Sequence, residues 1–259
     1  MSDRRNHLDA RLTTAQRSAA AAGLKSLIPM GSGAGRPFLD YVLSGLADAG
    51  IRDVGLVVAP EHDAIQRCYE GRHAPTRVTL SFIVQEHANG TADAVRSSEA
   101  FVAGRPFLAI NADNLYPVEA LRAVSALDGP GLAAFEKDDL VRTSGLAAEK
   151  VQAFAIVSER EGWLEDLVEK PGRGRLSRAG PHALVSMNCW RFDTRIFRAC
   201  REVEPSPRGE LEITDAVRIA IRHGVRFQIV KTSGPVLDLT TASDVPFVDG
   251  ALAGRQVRP

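Results

Sequence analysis

The sequence is short of the residues that mark a stapled, membrane-borne or nucleic-acid-binding protein. It holds three cysteines in 259 residues, Cys68, Cys189 and Cys200, with no C-x-x-C spacing. That argues against a disulfide framework and a zinc site, and suits a reducing compartment. There is no charge excess, since 32 lysines and arginines balance 32 aspartates and glutamates. No global field draws the chain to nucleic acid or an anionic membrane, so any anionic ligand must be held locally. No apolar run approaches a membrane span, and the opening MSDRRNHLDARLTTAQR lacks a signal-peptide hydrophobic stretch. A soluble, cytoplasmic protein is expected. Internal repeats and low-complexity linkers are also lacking, which makes one domain over 1–259 the simplest organisation.

What is present suits a large α/β core: 44% of residues are apolar and 25% charged. RPFLDYVLSGLADAG reads as a helix with Pro37 near its first position and Gly50 after its end. Phe38, Tyr41, Val42, Leu46 and Ala49 would share its buried face. Apolar strands DVGLVVAP, VTLSFIV, FLAIN and GLAAFE then alternate with helices near 61–70, 91–103 and 117–126. That rhythm predicts a parallel, doubly wound sheet. The second half is less regular. A hairpin is expected around the REG turn in FAIVSEREGWLEDLVEKP, then a strand HALVSMNCWRF, helices near 193–203 and 211–223, strands RFQIV and VLDL, and a last helix from about 242. The expected fold is α/β, with a mixed, mainly parallel sheet flanked by helices. Residues 1–22 are polar and alanine-rich, reading as a loop and a helix, so the buried strand that usually opens such a domain is missing.

Several short stretches could carry chemistry, each with a plain alternative. The glycines of GSGAG (31–35) precede a helix, where backbone N–H groups can cradle phosphate, yet this spacing is a weak signal. Asp113 follows FLAIN at the carboxyl edge of the sheet, where a carboxylate can hold Mg²⁺ or merely cap the next helix. In QEHANGTADAV, Gln85 can pair with a base edge, Gly90 allows close backbone approach and Thr91 would cap the following helix. An ordinary strand-to-helix turn explains the same residues. Glu169 and Lys170 of LVEKP read as a solvated turn when taken alone. Asp238 is the most conspicuous, because VLDLTTASDV places a carboxylate in an apolar stretch, a costly position unless it is paired, hydrogen-bonded or on a metal.

Taken together, GLKSLIPM…GRPFLDYVLSGLADAGIRDVGLVV, QEHANGTADAV, FLAINADN, VEKP, GELEITDAV and VLDLTTASDV occur in the order found in sugar-phosphate nucleotidyltransferases. The chain resembles that family from Gly23 onward. The resemblance implies a nucleotide-diphospho-sugar transferase-like (Rossmann-like) fold, with a nucleotide-binding half over 23–136 and a sugar-binding half over 137–259. It implies a reaction between a nucleoside triphosphate and a sugar 1-phosphate, giving a nucleotide sugar and pyrophosphate with Mg²⁺ as cofactor. By the same resemblance Asp113 and Asp238 would hold the metal and Lys25 would neutralise phosphate. Gln85, Gly90 and Thr91 would line the nucleotide site. Glu169, Lys170 and Asn188 would face the sugar phosphate, and Glu210 and Asp215 would belong to the sugar-side wall. Trp163 and Trp190 are read as packing residues, and the 152–170 hairpin as a candidate homo-oligomer contact. Residues 137–152 form an insertion that could cover the sugar pocket.

In the family, GSGAG falls on the connector after the L-x-P segment, so it is expected to be a surface turn. The family's phosphate loop, A-A-G-x-G-T-R, lies before the residue matching Lys25 and has no counterpart here. Either the true start lies upstream of Met1 or the protein has lost its triphosphate loop. The former is preferred because the other motifs are intact. Arg4, Arg5 and Arg11 could supply phosphate contacts in place of the loop. A non-catalytic binder of sugar phosphate or nucleotide sugar is the alternative function. A D-x-D glycosyltransferase fits poorly, since ADN holds one aspartate, and a dehydrogenase lacks the strand and acidic residue that grip a ribose.

Overall fold

The computed structural model describes residues 12–31, 35–71, 73–146, 148–151, 154–169, 174, 178–180 and 182–259, with backbone alone at 148 and 149. Arg4, Arg5, Arg11, Lys170 and the centre of GSGAG lie outside the described residues.

Helix α1 (Thr14–Ala21) starts at a reciprocal cap, with the Thr13 hydroxyl accepting from Gln16 N–H and the Gln16 side chain accepting from Thr13 N–H. A 3₁₀ turn (Lys25–Leu27) leads into β1 (Pro29–Met30), which pairs antiparallel with β2 (Arg36–Pro37). Gly31 and Gly35, the two ends of GSGAG, both take positive φ at this reversal. The Gly31 N–H is donated to Asp249 at 2.6 Å.

Helix α2 (Phe38–Asp48) is buried from Phe38 through Ala47. It runs through the core, and the expected single apolar face is too narrow a description. Even Asp40 is fully enclosed, and its carboxylate receives Arg36, the Tyr69 hydroxyl and His73. This is how a buried carboxylate is tolerated.

The next elements are β3 (Asp53–Val58), α3 (Asp63–Glu70), β4 (Thr79–Val84), α4 (Thr91–Ser97), α5 (Glu99–Val102), β5 (Phe107–Ala109), β6 (Asn114–Leu115), α6 (Val118–Ser125) and β7 (Gly131–Glu136). After them come α7 (Lys137–Thr143), α8 (Ala148–Val151), β8 (Ala155–Arg160), β9 (Trp163–Val168) and β10 (Leu184–Phe192). The chain closes with α9 (Arg195–Arg201), α10 (Ile213–Arg222), β11 (Gln228–Thr232), β12 (Leu237–Asp238) and α11 (Val245–Leu252).

The sheets correct the expectation of a mainly parallel arrangement. β3 and β4 are parallel, as their βαβ connection requires. The larger sheet has the order β5-β10-β7-β11-β9-β8, and only β7 and β11 are parallel within it. The reason is topological. The two-residue turn Glu161–Gly162, both at positive φ, folds β8 against β9 as a hairpin. β10 then inserts antiparallel between β5 and β7. It also pairs with β8, which closes β10, β7, β11, β9 and β8 into a small barrel. Trp190, Phe192 and Phe227 form the aromatic centre of the core beneath this sheet, with Phe107 and Phe197 stacked beside it.

Candidate active site

Two short strands bring the acidic residues together. β6 and β12 pair antiparallel, with Leu237 opposite Leu115 and Asp238 opposite Asn114. The Leu239 N–H extends the ladder by donating to the Asp113 carbonyl at 2.8 Å. Leu237 and Leu239 are buried and anchor β12 in the core, which carries Asp238 inside between them. Asp113 does not cap the next helix, since α6 takes Pro117 at its N-cap. Burial first, and then the charge of Asp238, raise the Asp113 carboxyl above its ordinary range, while Lys25 and Lys150 pull it down.

Lys150 was not singled out from the sequence. It projects from α8, within the 137–152 insertion, and its ammonium lies 3.1 Å from Asp238 Oδ2 and 2.8 Å from Asp244 Oδ2. The Thr240 hydroxyl donates to the other oxygen of Asp238. The Asp238 side chain is only 2% exposed, so these partners answer the desolvation cost that made it conspicuous in the sequence. Lys25 is exposed on the 3₁₀ turn and reaches Asp113 through its charge.

The neighbouring wall comes from an irregularity in β10. Leu184, Val185 and Ser186 pair with β8 along one edge, whereas Trp190, Arg191 and Phe192 pair with β5 along that same edge. Between them the register shifts, and Asn188 takes φ 59°. Asparagine tolerates this left-handed conformation better than most residues. The Trp190 indole N–H donates to Asn188 Oδ1 at 3.1 Å. An indole N–H can only donate, so the Asn188 oxygen faces Trp190 and the amide NH₂ is turned elsewhere. Trp190 is thus a packing residue, as expected, and also orients Asn188. The buried Tyr116 hydroxyl donates to the Met187 carbonyl at 2.6 Å, which ties the bulge to the end of β6.

Around this irregularity lies a pocket of about 90 Å³ lined by Asn111, Asp113, Glu169, Asn188, Asp238 and Thr240, among others. The structure therefore gathers Asp113, Asp238, Asn188 and Glu169 around one pocket and leaves Lys25 out of its lining. Gln85, Gly90, Thr91, Glu210 and Asp215 are not among the lining residues.

Those residues sit on two segments clipped to each other. Gln85 Nε2 donates to the Gly90 carbonyl and to Asp93. Leu211 N–H donates to the Asn89 carbonyl, and Ala92 N–H to the Leu211 carbonyl. Gly90 has φ 113°, and a Cβ there would lie 2.6 Å from Leu211 N and O, so only glycine fits. Thr91 caps a different helix from the one expected. Its hydroxyl accepts from Ile213 N–H at the start of α10, while Gly90 is the N-cap of α4. Glu210 pairs with Arg208, which also meets Glu212 and feels the charge of Glu169. Asp215 lies 3.8 Å from Arg218. Arg208 is not a residue that the sequence marks out, and it pairs with both Glu210 and Glu212.

The donor set suits Mg²⁺. It consists of two carboxylates whose mutual repulsion shows in Asp113, with the oxygen-bearing side chains of Asn111 and Asn114 lining the same pocket, and among the described residues no group of three or more His, Cys, Asp or Glu gathers. Magnesium takes hard oxygen ligands, commonly one or two carboxylates completed by water and phosphate. A divalent cation between Asp113 and Asp238 would remove the repulsion.

The chain matches the nucleotidyl transferase family over residues 20–239. A glucose-1-phosphate thymidylyltransferase of Actinoplanes sp. is 30% identical over 214 residues, or 81% of this chain and 65% of that protein. The low-salt glycan biosynthesis nucleotidyltransferase of Haloferax volcanii is 28% identical over 244 residues, or 90% of this chain and 63% of that protein. The chain thus spans slightly less than two thirds of the length of these two relatives. A UDP-glucose pyrophosphorylase complexed with UDP-glucose superposes with a TM-score of 0.68 at 20% identity, over 88% of this chain and 89% of that one. The fold is therefore nucleotidyltransferase-like α/β, and with its paired aspartates and family match the chain belongs to the nucleotidyl transferase family.

Proposed function

We propose that this chain transfers a nucleotidyl group from a nucleoside triphosphate to a sugar 1-phosphate. The sugar phosphate oxygen attacks the α-phosphorus, the bond to the bridging oxygen breaks, and pyrophosphate leaves with both electrons of that bond. The observation that carries this reading is the convergence of Asp113 and Asp238 in one pocket that Asn188 and Glu169 also line.

The chemistry needs no protein nucleophile. It needs two polyanions held in line and their charge offset. Bound Mg²⁺ would supply charge neutralisation and a template for the phosphates, held by Asp113 and Asp238. Lys25, whose charge acts on Asp113, and Arg208, which feels the charge of Glu169, supply positive charge. Asn188, its oxygen fixed by Trp190, offers its NH₂ to a sugar hydroxyl or phosphate oxygen, and Glu169 accepts from sugar hydroxyls. Gln85, Gly90 and Thr91 are assigned to the nucleotide side by the resemblance, with Gly90 letting the 89–92 loop lie against Leu211. Lys170, Glu210 and Asp215 are assigned to the sugar side by the resemblance alone. The nucleotide half is read as 23–136 and the sugar half as 137–259.

No helix among the described residues is long and apolar enough to cross a membrane, and the three cysteines are free thiols. Free thiols suit a reducing compartment, and on that ground the enzyme is read as cytoplasmic.

Glucose 1-phosphate with thymidine or uridine triphosphate is the first pairing to test, following the names of the relatives. The purified protein is incubated with both substrates and Mg²⁺, and pyrophosphate and nucleotide sugar are measured together. Equimolar formation of both supports the proposal. Binding of sugar phosphate or nucleotide sugar without turnover, over a panel of bases and sugars, favours the non-catalytic binder.

A further inference from the structure

Lys150 occupies the position that a metal would contest. Its ammonium lies 3.1 Å from Asp238 Oδ2, and the Thr240 hydroxyl engages Oδ1, so both oxygens of this enclosed carboxylate already have partners. A divalent cation taking a lone pair of Asp238 would stand beside a positive charge in a poorly solvated place, and the two would repel. Lys150 also has a second seat. Asp244 Oδ2 is closer, at 2.8 Å, and is held in place by the N–H and hydroxyl of Thr241. Asp244 is 20% exposed, in contrast to Asp238, so an ammonium leaning towards it gains solvent and keeps a counter-ion.

On the reading that Asp113 and Asp238 hold a divalent cation, we propose that Lys150 is a positioning residue that stands in for the metal at Asp238. In the metal-free protein it neutralises Asp238 and keeps β12 docked. When the cation arrives, Lys150 releases Asp238 and retains Asp244. The ammonium then remains beside the metal site as a fixed positive charge. Because it reaches β12 from α8, it also couples metal loading to that helix.

The test is Mn²⁺ binding to the full chain without nucleotide or sugar phosphate, followed by the loss of the free Mn²⁺ paramagnetic resonance signal. Lys150→Met keeps the stem and removes the charge, and should bind Mn²⁺ roughly tenfold more tightly than the wild type. Asp244→Asn removes the second seat, leaves Lys150 on Asp238, and should bind several-fold more weakly. An ion pair too far from the metal to compete with it would lose stability when broken and leave Mn²⁺ binding unchanged. In chelator, Lys150→Met should melt below the wild type and recover more on adding Mn²⁺. Equal or weaker Mn²⁺ binding by Lys150→Met would overturn the proposal. Should that variant fail to fold, unchanged binding by Asp244→Asn would do so. Mn²⁺ binding that persists undiminished in Asp113→Asn and Asp238→Asn, or is absent from every form, would overturn the metal reading itself.

Discussion

The Tyr116 hydroxyl holds the Met187 carbonyl at 2.6 Å, in a place where both are buried. Through this bond the strand that presents Asp113 and the bulge that presents Asn188 are kept in one arrangement. Tyr116→Phe removes the donor and leaves a buried carbonyl short of its partner, at a cost of about 1–3 kcal/mol. Urea unfolding should show that loss. If the bond also sets the pocket wall, the KM for sugar phosphate should rise more than the KM for the triphosphate. Equal changes in both would separate stability from pocket geometry.

Asp113→Asn and Asp238→Asn should each lower Mg²⁺-dependent pyrophosphate release by roughly three orders of magnitude, because each removes half of the proposed metal anchorage. Circular dichroism should show both variants folded. Unchanged turnover in both would sink the metal assignment.

The Asp113 carboxyl is raised by burial and by the charge of Asp238. Between its unfolded and folded values the native chain binds more protons than the unfolded chain, so stability falls as pH rises through that window. In metal-free buffer above that window the ionised Asp113 is therefore destabilising, and Asp113→Asn should melt higher than the wild type. The gap should close as the pH is lowered towards the ordinary carboxylate range. A gap independent of pH would show that charge is not its cause.

Gly90→Ala should be severe for a mutation of one methyl group. The new Cβ would meet Leu211 backbone atoms at 2.6 Å, at a φ of 113° that alanine avoids. The loop must part from Leu211, which also disturbs the Thr91 cap on α10. A loss of roughly 2–4 kcal/mol in chemical unfolding is expected. Near-normal stability would mean that the clip between 89–92 and 211–213 is dispensable.

The order of elements was legible because each carries local signals, such as the Glu161–Gly162 turn, the Pro37 and Gly50 bracket, and continuous apolar strands. The paired aspartates were legible in a different way. Asp238 was out of place in an apolar run, and the motif order supplied its partner. What stayed hidden depends on contacts between distant segments. Nothing in LVSMNCWRF says that this strand will enter antiparallel between β5 and β7, which is why the sheet was expected to be mainly parallel. Lys150 sits in a polar stretch indistinguishable from a solvated helix, and only the folded chain sets it between two aspartates. Likewise the Thr91 hydroxyl could be read only as a cap for its own helix, because its partner Ile213 belongs to another segment.

The change of partners along β10 has a consequence for the pocket. One continuous strand is shared by a closed barrel at its start and an open sheet at its end, with Asn188 at the joint. β7 pairs with β10 on both sides of this joint, through Leu184–Ser186 and again through Trp190 and Arg191, so barrel and sheet are tied through one common neighbour. The pocket lies at the joint, lined by Ala155 of barrel strand β8 and by Asn111 just beyond sheet strand β5, so a ligand seated there touches both parts of the fold.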